Sequence, residues 1–286
     1  MTEPSPLVWL ITGTSSGFGS CLVASVLARG DRVIATARSL DSIKHLEGTP
    51  NIAIRQLDVT AGAEAITPIV AEAAGIHGRL DVVVNNAGSG YPALLEEGGS
   101  DMLRKQFDVN FFGVMDVAQA TLPYLRAQKA GTMVIVGSRS AWKTELPGIG
   151  AYAASKAAVH ALAETLTVEV APFGVRVLLV APGAFRTAIY RQPYHLANPL
   201  PDYDKMRALS AARFGAVSGT ERGDPAKAME AVVDVVRGEG AAAGRPWPGT
   251  LVLGEDAESD LRVKTKKILD NLDEWNDVVR GVNFDE

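Results

Sequence analysis

The 286-residue chain has one cysteine, Cys21, and only four histidines. A lone cysteine cannot close an intramolecular disulfide, so the stapled scaffold of a small secreted domain is excluded and a reducing compartment is compatible. His45, His77, His160 and His195 lie far apart without ligand spacing, which argues against a metal site. No apolar run approaches the roughly 20 residues that cross a bilayer. Met1-Thr2-Glu3-Pro4 has neither the basic patch nor the apolar stretch of a secretory signal, and Asn283-Phe284-Asp285-Glu286 carries no address or lipidation motif. These absences predict a cytoplasmic protein without a membrane span. A basic excess is missing too: the formal charge is −5, whereas binding a phosphate backbone needs a basic face, so no nucleic-acid partner is expected.

What is present is ordinary globular composition, 47% hydrophobic and 21% charged, on a chain long enough for a substantial core. Short, nearly continuous apolar runs recur at residues 7–12, 32–36, 52–57, 80–84, 132–136, 175–180 and 250–253, separated mostly by alanine-rich helical stretches such as 17–29. Strands apolar on both faces and joined by helical crossovers predict an α/β fold with a doubly wound parallel sheet. No linker, repeat or low-complexity segment divides the chain, so residues 1–286 are expected to form one domain, with 238–248 as a surface loop. Residues 184–223 interrupt the alternation. They hold Tyr190, Tyr194, His195, Tyr203 and Phe214 together with Pro193, Pro199 and Pro201, and a long irregular insertion of this kind is expected to be a substrate-binding lid. Residues 258–279 are expected to form a charged amphipathic helix packed on the sheet edge.

The first apolar run leads into Thr12-Gly13-Thr14-Ser15-Ser16-Gly17-Phe18-Gly19. Glycines here permit a tight turn, let the backbone approach a pyrophosphate and leave a helix N-terminus free to receive its charge. The spacing is G-x-x-x-G-x-G rather than the general dinucleotide pattern G-x-G-x-x-G. After the second run the chain reads Ala35-Thr36-Ala37-Arg38, where an NAD site places an acid on the adenosine ribose. No acid is present, and the planar guanidinium of Arg38 suits a 2′-phosphate. NADP(H) is therefore expected, a solvated surface arginine being the alternative. Farther on come Asn85-Asn86-Ala87-Gly88, Asn110, Ser138 and Tyr152-Ala153-Ala154-Ser155-Lys156. Tyr152 and Lys156 stand four apart in a helical stretch, so both project from one face.

With its T-G-x-x-x-G-x-G turn, N-N-A-G segment and Y-x-x-x-K pair, the chain resembles the short-chain dehydrogenase/reductase family over residues 7–253. The region after Gly183 is similar to the hydroxysteroid and retinol dehydrogenase-like branch. The resemblance implies a Rossmann-type domain and a catalytic tetrad of Asn110, Ser138, Tyr152 and Lys156. It further implies that Asn86, Ala87 and Gly88 border the adenosine, that Asp58 and Val59 lie by the adenine, and that Pro182, Gly183 and Thr187 lie near the nicotinamide. The family places its serine thirteen residues before the tyrosine, while Ser138 lies fourteen before Tyr152. Counting from the strand favours Ser138 with a one-residue insertion in the loop around 142–146, and Ser140 is the competing candidate.

A phenol with a pKa of about 10 is a poor base at neutral pH. The Lys156 ammonium one turn away favours the phenolate and brings Tyr152 toward working pH. Ser138 is suited to donate to the substrate oxygen, and Asn110 to order a water that resupplies Lys156 with protons. The expectation is an NADPH-dependent oxidoreductase moving a hydride to or from a carbonyl or alcohol carbon of a mostly apolar small molecule. The alternative is a catalytically inactive NADP(H)-binding regulator or scaffold. The family resemblance also implies a homodimer or homotetramer, paired through the helices that carry Asn110 and Tyr152.

Overall fold

Four consecutive apolar residues with no room for solvent make β1 (Val8–Ile11) an interior strand of the sheet, buried at every position. The computed structural model describes residues 6–196 and 198–284, without the side chains of residues 190 and 191. The expectations about signals in residues 1–5 and 285–286, and about the Tyr190 ring, lie outside the described residues. After β1 the chain alternates: α1 (Gly17–Ala28), β2 (Arg32–Ala37), β3 (Ile52–Gln56), α2 (Ala63–His77), β4 (Val82–Asn85), α3 (Leu95–Phe107), α4 (Gly113–Gln128) and β5 (Gly131–Val136). Then come α5 (Gly150–Val170), β6 (Val175–Pro182), α6 (Asp204–Val217), α7 (Pro225–Arg237), β7 (Thr250–Leu253), α8 (Glu255–Glu274) and α9 (Asn276–Arg280). All seven expected strands are present, with shifts of one or two residues at their ends.

The strands form one parallel sheet in the order β3-β2-β1-β4-β5-β6-β7. One face packs on α2, α4 and α5 through Ile66, Val117, Leu125 and Val159, and the other on α1 and α7 through Leu22, Val26, Val232 and Val233. This is the doubly wound Rossmann arrangement. Strand order reverses between β1 and β4, and in such sheets the crevice at the carboxyl ends beside that point is where ligands bind. Among the described residues no helix is long and apolar enough to cross a membrane.

Two expectations need correction. The segment 184–223 is not irregular throughout: it contains α6, and its two ends meet where Phe185 pairs with Gly223. The Arg186 amide donates to the Gly223 carbonyl at 3.0 Å, so the excursion leaves and returns at one point. The C-terminal helix breaks at Trp275 into α8 and α9, and only its start packs on the body. Ala257 is fully buried there, whereas Val263, Ile268, Leu269, Leu272, Trp275, Val278, Val279 and Val282 are exposed. Asp256 and Asp260 in its first turns, and Lys267 paired with Glu145 farther along, tie α8 to the body, while these apolar side chains stay exposed among the described residues.

Candidate active site

The carboxyl ends of β1, β2, β4, β5 and β6 open into one cleft of about 480 Å³. Thr12, fully buried at the end of β1, ties the first two loops together. Its hydroxyl donates to the Val84 carbonyl and accepts from the amides of Asn86 and Ala87 at 3.0 Å each. The Asn86 side chain in turn donates to the carbonyls of Thr12 and Gly13 at 2.8 and 3.0 Å. Gly13 has φ 70°, and a Cβ on Gly19 would lie 2.2 Å from the Gly13 oxygen, so this turn admits no side chain at either position. Ser16 begins α1 without a capping hydrogen bond. The open amides of the first turn and the positive end of the helix dipole therefore face the cleft beside Ser15, Gly17 and Phe18.

At the β2 end of the cleft stands Arg38, exposed and with no ion pair among the described residues. Leu57, Asp58, Val59 and Thr60 line the same end after β3. The Asp58 carboxylate is turned back on Thr60, accepting from its amide and hydroxyl at 2.9 and 2.8 Å. The glycine turn, the uncapped α1 and the unpaired Arg38 match the pyrophosphate and the adenosine end of a dinucleotide in charge and in the space left by missing side chains.

Between α3 and α4 the backbone makes a π-helical turn, Asp108–Phe112, a wider coil than the α-helix that often marks a functional position. It directs Asn110, fully buried, at the loop after β4 and at α5. Asn110 Oδ1 accepts from the Ser89 amide at 3.0 Å, and Nδ2 donates to the Ser89 carbonyl at 3.0 Å and to Ser155 Oγ at 3.1 Å. Ser155 Oγ donates onward to the Tyr152 carbonyl at 2.8 Å. Both amide hydrogens of Asn110 are thus committed, leaving one lone pair of Oδ1 for a water.

Lys156 is 5% exposed, and Nζ donates to the Val136 carbonyl at 2.7 Å. Nζ stands 5.9 Å from the centroid of the Tyr152 ring. Burial pushes the ammonium down to about 8. Ser138, just past β5, accepts at Oγ from the Ser140 amide at 3.1 Å, which fixes its side chain. Its own amide donates to Nε2 of His160 at 3.2 Å. Trp142 packs edge-on against the His160 ring, centroids 5.0 Å apart. Burial, with Lys156 nearby, pushes His160 down to about 4, so the ring is neutral and can accept.

Pro182, Gly183 and Thr187 close the far end of the cleft. There Asp256 of α8 accepts from the Ala184 amide at 2.8 Å and pairs with Arg139 at 2.8 Å. Asp260, one turn later, pairs with the same arginine and with Lys143. The roof is apolar: Tyr91, Leu146, Ile149, Ile189, Phe214 and Val217 line it, with Arg213 at its edge. On α6, Arg207 is held by Glu97 of α3, Nε to Oε1 at 2.9 Å and Nη2 to Oε1 at 2.5 Å. The Leu200 amide donates to the same carboxylate, and Arg207 holds it below the usual carboxylate range.

Of the residues expected from the sequence, all but two line this cleft. Gly19 packs beneath the turn, and Asn110 stands behind the wall as a brace. Asn86 and Asp58 reach the cleft, but the Asn86 amide hydrogens and one Asp58 oxygen are engaged within the protein. Sequence reasoning missed Thr12, Ser89, Ser155 and Asp256 as the ties that hold the site. It also passed over His160, whose place one turn beyond Lys156 on the same helix was the available signal.

Residues 7–195 match the family described as short chain dehydrogenase. The Oxidoreductase BOA17 of Botryotinia fuckeliana is 32% identical over 275 residues, 95% of this chain and 97% of that protein. A short-chain dehydrogenase structure from Streptomyces avermitilis superimposes with a TM-score of 0.85 at 35% identity, covering 98% of this chain and 100% of the other. Two more distant structures share the fold. One from Burkholderia phymatum, in complex with NAD, has a TM-score of 0.80 at 19% identity over 94% of this chain and 96% of its own. One from Burkholderia cenocepacia, in complex with NADP, has a TM-score of 0.70 at 23% identity over 94% and 97%. The sheet order, the cleft at its switch point and the match across most of the length agree, and the chain belongs to the short-chain dehydrogenases.

Proposed function

We propose that this protein is a cytoplasmic NADP(H)-dependent oxidoreductase that reduces the carbonyl group of a mostly apolar small molecule, or oxidises the corresponding alcohol. The observation that carries this reading is Tyr152 and Lys156 side by side on α5, both lining the cleft, with the lysine buried. The Arg38 guanidinium supports NADP(H) over NAD, since it lines the adenosine end of the cleft and makes no ion pair among the described residues. Ser15, Ser16, Gly17 and Phe18 at the head of α1 would hold the pyrophosphate, and Pro182, Gly183 and Thr187 the nicotinamide end. When bound, the dinucleotide supplies or accepts the hydride.

In the reducing direction, Tyr152 gives its phenolic proton to the carbonyl oxygen as negative charge develops there. Ser138 donates a second hydrogen bond to the same oxygen, stabilising that charge. Its orientation is held by the Ser140 amide, which supports Ser138 over Ser140 as the donor. Lys156 in its ammonium form stabilises the phenolate left on Tyr152. The open lone pair of Asn110 is suited to hold a water for reprotonation. The roof of Tyr91, Leu146, Ile149, Ile189 and Phe214 excludes solvent and favours an apolar substrate body. Exposed Phe112 and Met115 at the head of α4 and Val168 on α5 support pairing into a homodimer or homotetramer through that face.

The test is nicotinamide absorbance with the purified protein, NADPH or NADH, and a panel of lipophilic ketones and aldehydes. Turnover with a higher kcat/KM for NADPH is expected. A preference for NADH removes the role given to Arg38, and tight NADPH binding without turnover of any carbonyl favours a regulator instead.

A further inference from the structure

The charges that line the cleft are unevenly placed. Among the described residues Asp58 is the one lining carboxylate, and it stands with Arg38 at the adenosine end. Around the apolar roof the charged lining residues are Arg139, Lys143 and Arg213, all cationic, besides Lys156 next to Tyr152. Arg139 and Lys143 are answered by Asp256 and Asp260 of α8, neither of which lines the cleft. Arg213 makes no hydrogen bond or ion pair among the described residues.

The α6 helix is held in a rotation that turns this arginine to the cleft. Near its start Arg207 pairs with Glu97 of α3. One turn later the buried Ser210 donates its hydroxyl to the Pro147 carbonyl at 2.8 Å. Gly148 has φ 90°, and a Cβ there would lie 3.0 Å from the Phe214 ring, so bare backbone lets α6 seat against the loop before α5. Ser210, Arg213, Phe214 and Val217 stand at i, i+3, i+4 and i+7, one face of a helix. Ser210 is engaged with Pro147, and the other three line the cleft. Phe214 and Val217 supply apolar cover, and exposed Arg213 sets a guanidinium at the rim. The anchors of α6, Glu97 and Pro147, belong neither to the glycine turn nor to the loops after β2 and β3, so Arg213 stands on the substrate side.

A hydrated, unpaired guanidinium gains a charge-assisted and potentially two-pronged partner when a carboxylate arrives. A neutral ketone gives it nothing, and a cationic substrate is repelled. We propose that the substrate is an anionic amphiphile: a carbonyl compound, or its alcohol, with an apolar body under Leu146, Phe214 and Val217 and a carboxylate at its far end held by Arg213. This assignment rests on the oxidoreductase reading of the cleft and narrows its substrate class to oxo acids and hydroxy acids. The carboxylate takes no part in hydride or proton transfer. It fixes how deeply the chain enters, and so which carbon stands beside Tyr152.

The experiment compares straight-chain oxo acids, with the ketone at each position in turn, against their methyl esters, using NADPH and nicotinamide absorbance. The unaltered protein is expected to prefer acid over ester about tenfold in kcat/KM, and the difference should lie in KM, because the far end is bound alike in ground and transition states. Arg213→Gln is expected to bring the ratio of acid to ester near unity, Arg213→Lys to restore part of it and Arg213→Glu to reverse it. Esters reduced as well as acids by the unaltered protein overturn the anionic substrate and leave the carbonyl chemistry standing. An Arg213→Gln loss equal for acids and esters, with weaker NADPH binding by fluorescence titration, gives the guanidinium to the cofactor and also overturns the assignment. If neither acids nor esters are reduced, the reaction itself fails, and calorimetric titration of the NADP+ complex with straight-chain fatty acids decides the carboxylate site. Binding about tenfold tighter to the unaltered protein than to Arg213→Gln supports that site, and equal affinities overturn it.

Discussion

The two walls of the cleft are held in different ways. On the sheet side, Thr12, Asn86, Asn110, Ser155, Ser138 and His160 bond to one another and to backbone groups without any ion pair among them. On the lid side, charges from distant parts of the chain do the holding: Glu97 with Arg207 of α6, and Asp256, itself paired with Arg139, at the Ala184 amide where the lid begins. Neutral hydrogen bonds in a buried network are short-ranged and directional, so they suit groups whose orientation decides a reaction. Ion pairs between separate elements tolerate small displacements and suit a roof that must admit and release a substrate. The contrast leads to a division of labour. Changes to the sheet wall should fall on kcat, and changes to the lid wall on KM.

The strongest challenge to that division is Tyr152→Phe. Loss of the transferable proton should lower kcat by about 10² to 10⁴ while the NADPH dissociation constant, read by fluorescence titration, stays within about twofold because the ring remains. Retained turnover would mean that the proton comes from elsewhere and that the sheet wall is not the chemical one.

A smaller effect is expected at His160. His160→Phe strands the buried Ser138 amide, a loss of about 1–3 kcal/mol in the usual range for such donors. It should lower both melting temperature and kcat, and His160→Asn, which still offers an acceptor oxygen, should recover part of each. Equal behaviour of the two variants would make the ring a packing residue only. Its pH dependence has a definite sign. Because the folded ring is pushed to about 4 from an ordinary 6.5, the unfolded chain takes up its proton first and stability is lost as pH falls across that interval.

On the lid side, Glu97→Gln removes the charge that Arg207 answers. A several-fold rise in KM for the carbonyl substrate with little change in kcat is the expected result, read from steady-state kinetics. A fall in kcat alone would erase the contrast between the walls.

The smallest effect is a pH limb that sharpens the reading of Lys156. Its ammonium, pushed to about 8 from 10.5, supports the phenolate only while protonated, so reduction should slow as pH rises above about 8. Stability should move oppositely, rising between 8 and 10.5 as the folded state sheds a buried charge that the unfolded chain still carries. Lys156→Arg, charged throughout, should carry the kinetic limb to higher pH, and parallel pH titrations of rate and melting temperature separate the two trends.

The sheet was legible because its strands are buried on both faces and therefore apolar without interruption, as Val8–Ile11 and Val82–Asn85 illustrate. The glycine turn and the Tyr152–Lys156 pair were legible because each is a local spacing. What escaped was nonlocal. That Gly19 packs under Gly13 rather than lining the cleft depends on how α1 sits against the turn. Prolines at 193, 199 and 201 masked the helix that follows them, since they mark a coil that ends where α6 begins at Asp204. His160 looks like any core histidine until the Ser138 amide is seen at its Nε2. The C-terminal helix was visible as amphipathic, but an apolar stripe does not say what lies opposite it.

Asp256 serves two loops at once, receiving the Ala184 amide and the Arg139 guanidinium within a few ångströms of the cleft. The tail of this protein therefore has a boundary along its length. Up to Asp260, an alteration made for convenience, whether a fusion, a purification tag or a shortened end, is an alteration of the catalytic centre. Past that residue the one tie to the loops of the cleft among the described residues is Lys267 with Glu145, beside Leu146.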